Sequence, residues 1–296
     1  MNPFTWAALA AIGGAIVFSA WRRALLSLAL AIAIVLVYLL LYASAYFPDL
    51  GVPAFVELAW LHYPGLYESP PWTVLTTIFV HAGPTHLILN LLGFILITPL
   101  LEERIGGLRW GLVFFLGALA GEFLFWVIHA GEPFTLVGAS GGLMAILGAF
   151  ARLYPRERVT LFLPFPGMPS VPVIWIAIGF LLLSFAMAGS SFGGIAYEAH
   201  LGGLGFGLAA APLVMRVPRV GSRVRGVAID AAALEPLATT RELRRIWDEL
   251  RAADVPEVRA AWLERFVAKA RCPKCGGDVR IRRRRLTSRC GWRLPG

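Results

Sequence analysis

Apolar stretches long enough to cross a lipid bilayer dominate this chain. A helix needs about 20 residues to span the hydrocarbon core, and residues 24–47 form the first convincing stretch of this kind. Further apolar stretches follow at 80–101, 110–129, 139–153, 171–189 and 198–215. Mean hydropathy is +0.70 and 58% of the residues are hydrophobic, which is too apolar for an ordinary soluble domain. We therefore predict an all-α polytopic membrane protein with a bundle of six helices.

The N-terminal segment, residues 1–23, leaves three interpretations open. Its apolar part, residues 4–20, is short and ends at Trp21-Arg22-Arg23. An interfacial helix, an extra span and an uncleaved start signal all fit this pattern. We separate this segment from a membrane domain at 24–216.

Basic residues fall in alternate connections between the apolar stretches. They are Arg22 and Arg23, then Arg104 and Arg109, then Arg152, Arg156 and Arg158. The other three connections, 48–72, 130–138 and 190–197, contain no Lys or Arg. Cytoplasmic loops carry an excess of these residues. The pattern predicts a multi-pass protein of the cell membrane whose basic connections and C-terminal tail are cytosolic.

Under this topology, several polar side chains belong to the outer half of the membrane. His86 and Asn90 are four residues apart and share a helical face. Ser140 lies between glycines at the start of an apolar run, beside the unpaired N–H groups of a helix N-terminus. His200 opens the last span, and a Gly-xxx-Gly face begins at Gly203. Close packing along such a face would bring the imidazole to the Ser140 hydroxyl, where it could accept a proton.

Three motifs in this order carry a family resemblance. They are His81 followed by His86-xxx-Asn90, Gly138-Ala139-Ser140-Gly141, and Ala199-His200-xx-Gly203-xxx-Gly207. Together they resemble the rhomboid family of intramembrane serine proteases, over about residues 24–215. The turn Glu102-Glu-Arg-Ile-Gly106 also resembles that of the family. Each motif alone is weak, whereas their order on spans of suitable polarity is specific.

The resemblance implies a catalytic Ser–His dyad that needs no cofactor. Ser140 would match the nucleophile and His200 the general base. His86, Asn90 and the backbone N–H groups of Ala139 and Ser140 would match the oxyanion-binding groups, and Gly138 would admit the substrate carbonyl.

The resemblance also implies that the substrates are transmembrane proteins, cut near the outer ends of their membrane segments. Loop 48–72 would match a membrane-embedded first loop, and 190–197 a cap over the site. The chain departs from the family pattern at Met144, where related bacterial members often carry a tyrosine that packs against the base.

Two other functions are weighed against a protease. An inactive rhomboid-like protein could bind membrane clients without cutting them, but loss of Ser140 or His200 would be its expected mark. A transporter is less favoured, because it predicts internal repeats and the sequence has none. A zinc peptidase is disfavoured because the His-Glu-xx-His pattern is missing.

The tail, residues 217–296, is strongly basic and contains all three cysteines. Residues 239–253 and 256–270 have the apolar spacing of two short helices. Cys272-Pro-Lys-Cys275-Gly-Gly resembles the first knuckle of a zinc ribbon. The second knuckle should read Cys-xx-Cys-Gly, but it reads Thr287-Ser-Arg-Cys290-Gly.

Zinc on Cys272, Cys275 and Cys290 would therefore need a fourth ligand from water, a carboxylate or another chain. A degenerate ribbon without metal is the alternative. The run Arg282–Arg285 is interpreted as a solvated basic edge near the lipid headgroups, and nucleic acid is a less favoured partner.

Overall fold

The structure is a computed structural model, and it describes residues 1–159, 170–187, 195–220, 231–253, 256–282 and 285–294. The chain forms two compact units, Met1–Ser222 and Arg223–Gly296. Several sequence predictions fall partly outside the described residues. Among them are the span 171–189, of which 171–187 are described, the cap at 190–197, of which only 195–197 are described, and the basic edge at Arg282–Arg285, which includes residues 283 and 284.

The first unit is mainly helical. Its helices are α1 (Pro3–Arg22), α2 (Leu26–Ser44), α3 (Ala54–Leu58), α4 (Thr73–Thr76), α5 (Pro84–Leu96), α6 (Thr98–Ile105), α7 (Gly107–His129), α8 (Ser140–Leu153), α9 (Val173–Met187) and α10 (Tyr197–Val214). Four segments of the described chain are long and apolar enough to cross a membrane, namely α1, α2, α5 with α6, and α7. The shorter helices α8 and α9 are also apolar. The unit therefore has the composition of a multi-pass membrane protein.

Helix α1 covers the N-terminal segment that the sequence left open. Pro3 occupies its first turn, and the Asn2 side chain caps it by accepting a hydrogen bond from the Phe4 N–H at 3.0 Å. The Thr5 hydroxyl donates to Glu57 Oε2 at 2.5 Å, so the start of α1 lies beside the chain that follows α2. The segment is thus a helix of spanning length that packs against α2.

The predicted span 80–101 differs from the structure at both ends. The chain is not helical at Val80–Gly83, and α5 begins at Pro84, which suits a first helical turn because its missing N–H is not needed there. His81 therefore precedes the helix and does not lie on it. At the other end the chain bends at Ile97, before α6 starts with proline in its first turn.

Short strands modify the all-α prediction. Strand β1 (Trp60–Tyr63) is the centre of a three-stranded antiparallel sheet, flanked by β2 (Tyr67–Glu68) and β3 (Phe134–Leu136). A second pair joins β4 (Arg158–Val159) to β5 (Val171–Pro172). Strands of two to four residues show too little alternation to be read from a sequence. The first sheet ties loop 48–72 to the segment that leads into Ser140.

The connections between the apolar helices contact one another in two groups, one basic and one without Lys or Arg, which mark the two ends of the unit. At the basic end, the Glu102 carboxylate accepts hydrogen bonds from Leu26 N at 2.6 Å and Ser27 N at 2.8 Å, which pairs two free N–H groups at the start of α2. The Arg104–Glu157 ion pair, at 2.9 Å, lies at the same end.

At the other end, His62 Nε2 lies 2.9 Å from the Ala130 carbonyl oxygen. These contacts join basic connections to each other and non-basic connections to each other, as the alternating pattern of arginines predicts.

The second unit has its own core. It contains a 3-10 helix (Ala232–Leu237), α11 (Arg241–Ala252), α12 (Pro256–Lys269) and an antiparallel hairpin of β6 (Val279–Arg282) with β7 (Arg285–Ser288). The two helices agree with their predicted bounds to within two residues. Leu234, Phe266 and Leu286 are fully buried, so helices and hairpin share one apolar cluster.

Candidate active site

Ser140 is the first residue of α8. The backbone just before it, at 136–138, is fixed by hydrogen bonds with Thr77. The Gly138 N–H donates to the Thr77 carbonyl at 3.0 Å, and the Thr77 hydroxyl donates to the Leu136 carbonyl. The residue before α8 is Ala139, whose side chain has no group that could cap the helix, so the N–H groups of the first turn suit a ligand with negative charge. This is the environment in which a developing oxyanion is stabilised.

Gly138 is required by both conformation and space. Its φ is +119°, which L side chains rarely adopt, and an added Cβ would lie 2.6 Å from His86 Nε2. The His86 ring is therefore held against the backbone two residues before Ser140. The structure thus brings together His86 and Gly138, two of the predicted site residues.

Helices α8 and α10 are in backbone contact near Ser140. A Cβ on Gly203 would lie 2.0 Å from the Gly141 carbonyl oxygen, and one on Gly207 would lie 2.0 Å from the Ala145 carbonyl oxygen. Small residues permit such approach between membrane helices. Because His200 lies in the first turn of α10, the contact places its backbone beside the first turn of α8.

The Ser140 hydroxyl and the His200 ring are not joined by a hydrogen bond, although the two helices that carry them are in backbone contact. Among the residues that the structure describes, no hydrogen bond joins the two side chains. Catalytic hydrogen bonds are often long without substrate and tighten in the complex. The dyad therefore stays a prediction, supported by the packing of the two helices.

His81, His86 and Asn90 form one cluster. The ring centroids of His81 and His86 are 4.9 Å apart, and His81 is buried. The Asn90 amide donates to the His86 carbonyl at 2.9 Å, while Asn90 Oδ1 is buried with no hydrogen-bond partner in the described chain. The predicted oxyanion-binding pair, His86 and Asn90, thus shares one face of α5, and its role stays a prediction.

Tyr197 is a neighbour of the predicted base His200, and the sequence motifs did not indicate it. Its ring lies edge-on to the His200 ring, with the centroids 6.2 Å apart, and it is buried. The family pattern drew attention only to Met144 on α8, where related proteins often carry a tyrosine that packs against the base. An aromatic residue three positions before His200, hence on the same helical face, was the signal that could have identified it.

Glu198 is buried in the first turn of α10. Its Oε1 lies 3.7 Å from His129 Nε2 at the end of α7. The acidic residue closest in sequence to His200 therefore contacts α7.

The second unit gathers the three cysteines into a separate cluster. Their Sγ atoms all lie within 4.8 Å of one another, and none is in a disulfide. A hydrogen bond with Ser288 is the main cause that lowers the pKa of Cys290 to about 6.

Comparison with known proteins identifies the membrane part. The model of the Rhomboid domain family matches residues 68–217, half of the chain. The chain is 32% identical over 139 residues to Rhomboid-like protease 3 of Toxoplasma gondii, covering 47% of this chain and 49% of the relative. It is 29% identical over 153 residues to Rhomboid-related protein 2 of Mus musculus, covering 47% and 50%.

A bacterial relative is Rhomboid protease GluP of Bacillus subtilis, 29% identical over 153 residues, covering 51% of this chain and 27% of the relative. The chain thus matches half or less of the length of these relatives. The family-model match over residues 68–217 includes all the residues predicted for the dyad and its oxyanion-binding groups.

Proposed function

Because the chain belongs to the rhomboid family, we propose that it is an intramembrane serine endopeptidase that cleaves transmembrane segments of other proteins. Relatives that carry the name rhomboid protease support a protease. The observation that carries the proposal is the backbone contact between Gly203 and Gly141. Close packing here supports a short distance between the start of α8, which carries Ser140, and the start of α10, which carries His200.

In the proposed reaction, the Ser140 hydroxyl attacks the scissile carbonyl while His200 accepts the hydroxyl proton. The tetrahedral intermediate collapses to an acyl-enzyme when His200 returns this proton to the leaving amine. His200 then takes a proton from water as the water attacks the ester. The second tetrahedral intermediate collapses when His200 returns this proton to Ser140 Oγ, which releases the carboxylic acid product and regenerates Ser140.

The proposed oxyanion-binding groups are the N–H groups of Ala139 and Ser140 with the side chains of His86 and Asn90. The N–H groups at the start of α8 are fixed by the helix, so they need no reorganisation as charge develops. Gly138 keeps the backbone free of a side chain where the carbonyl would approach.

We further propose that the site opens toward the outer side of the cell membrane and that the tail is cytosolic. The support is the alternation of arginines between connections and the separation of those connections between two ends of the unit. The partners would be transmembrane substrates within the bilayer, cut near their outer ends.

Labelling with a fluorophosphonate probe tests the proposal. Full-length protein in detergent would be compared with Ser140→Ala and His200→Ala, and with Ser184→Ala as a control serine in α9. We expect labelling of wild type and Ser184→Ala, and loss of labelling in the other two. A folded wild type that does not label would favour the alternative, an inactive rhomboid-like protein that binds membrane clients.

A further inference from the structure

The cysteine cluster of the second unit contains a fourth heteroatom. Ser288 Oγ lies 2.9 Å from Cys290 Sγ and 3.6 Å from Cys275 Sγ, and Cys272 Sγ lies 3.6 Å from Cys290 Sγ. Three sulfur atoms and one oxygen atom thus form a cluster, in which each atom lies within 3.6 Å of at least one other.

We propose that Cys272, Cys275, Cys290 and Ser288 bind one Zn²⁺ ion in a tetrahedral site, with Ser288 at the fourth corner. Bonds of about 2.3 Å to sulfur and about 2.1 Å to oxygen give tetrahedral edges of about 3.8 Å between two sulfurs and about 3.6 Å between sulfur and oxygen. The observed separations of 3.6 Å for Cys272–Cys290 and for Cys275–Ser288 agree with these edges. The 2.9 Å contact between Ser288 and Cys290 is shorter than such an edge, so these two atoms must move apart when the ion enters.

The backbone supports this site with two turns, of which the second is one residue shorter than the first. Cys275 and Cys290 are each followed by a glycine with positive φ, +67° at Gly276 and +81° at Gly291. In the first turn the Gly276 N–H donates to the Cys272 carbonyl at 2.8 Å, and in the second the Gly291 N–H donates to the Ser288 carbonyl at 3.1 Å. Ser288 therefore begins the second turn as Cys272 begins the first.

The structure also corrects where the missing ligand would be expected. A Cys-xx-Cys spacing assigns it to Thr287, but the Thr287 hydroxyl donates to the Arg280 carbonyl on the neighbouring strand at 3.4 Å. Successive side chains of a strand point to opposite faces, so Ser288 faces the thiols and Thr287 does not. A sulfur at position 288 would complete a four-thiolate site, whereas a sulfur at position 287 would not.

The test measures zinc content and Co²⁺ spectra of full-length protein in detergent with a thiol-free reductant, comparing wild type with five variants. We expect one zinc per chain in wild type and loss of it in Cys275→Ala and Cys290→Ala, which remove exposed thiols and spare the apolar core. Ser288→Ala should bind zinc more weakly, by roughly 10-fold or more. Ser288→Cys should bind more tightly and strengthen the sulfur-to-cobalt charge-transfer band, while Thr287→Cys should match wild type.

Three outcomes would overturn the proposal. The first is a folded wild type that holds no zinc, even when zinc is supplied. The second is unchanged affinity in both Ser288 variants, which would remove Ser288 from the site. The third is a stronger effect of Thr287→Cys than of Ser288→Cys. Because the readouts are metal content and spectra, they do not depend on peptidase activity.

Discussion

Substitution of Gly203 by alanine is the sharpest test of the helix contact on which the proposed active site depends. An alanine Cβ at this position would lie 2.0 Å from the Gly141 carbonyl oxygen, and real Cβ atoms essentially never come within 3.0 Å of such an atom. The obstructing atom belongs to the backbone and cannot rotate away. Helices α8 and α10 must therefore separate by about 1 Å at the residue that follows Ser140.

The separation has two consequences of different size. Overpacking of this kind costs about 1–3 kcal/mol of stability. Misplacement of catalytic groups by about 1 Å can reduce a rate about 100-fold. We therefore expect Gly203→Ala to remain folded in detergent at low temperature, with a lower melting temperature, and to react with a fluorophosphonate about 100-fold more slowly.

Gly205→Ala is a matched control on the same helix. Gly205 is exposed, and an added Cβ there meets no atom within 4 Å. Because alanine favours helix by about 1 kcal/mol over glycine, this variant should melt at or above the wild-type temperature and label normally. The reasoning would be refuted if Gly203→Ala labelled and melted like Gly205→Ala.

Two further predictions concern single side chains. Removal of the ring beside the proposed base in Tyr197→Leu should slow labelling about 2- to 13-fold, as loss of an aromatic contact of about 0.5–1.5 kcal/mol implies, and should alter the pH profile of labelling. Tyr197→Phe should retain the wild-type rate and pH profile, and equal losses in the two variants would contradict a positioning role. At His62, the hydrogen bond with Glu68, 2.7 Å, and a second one with the Ala130 carbonyl raise the pKa of the imidazole. This contact therefore stabilises the fold fully below the ordinary pKa of histidine and loses its effect as the pH rises through the raised value. The melting temperature of wild type should therefore exceed that of His62→Gln by more at pH 5.5 than at pH 8.5. A difference between the two variants that does not change with pH would count against this prediction.

The positions of the membrane helices depend mainly on local sequence, so they can be predicted from it. Apolar length places helices at every predicted span, because a helix that satisfies its own backbone hydrogen bonds is the natural form of such a segment in lipid. The tail helices follow from residues at helical spacing in the same way. Ser140 and His200 could be singled out because polar groups in apolar spans are costly and usually have a partner or a function.

Features that depend on chain segments distant in sequence were missed. The capping of α2 by Glu102 joins residues more than 70 positions apart, and no local pattern indicates it. Strand β1 pairs with β3 across a similar separation, so the sheet that holds the approach to Ser140 could not be predicted.

The sequence by itself determined which residues can take part in the chemistry, because residue type and periodicity are written in the chain. Only the tertiary structure decided which of them meet. It placed Tyr197 against His200, turned Ser288 and not Thr287 toward the thiols, and brought Gly203 against Gly141. These outcomes depend on strand register and on the distance between helices, which are set by packing between separate segments.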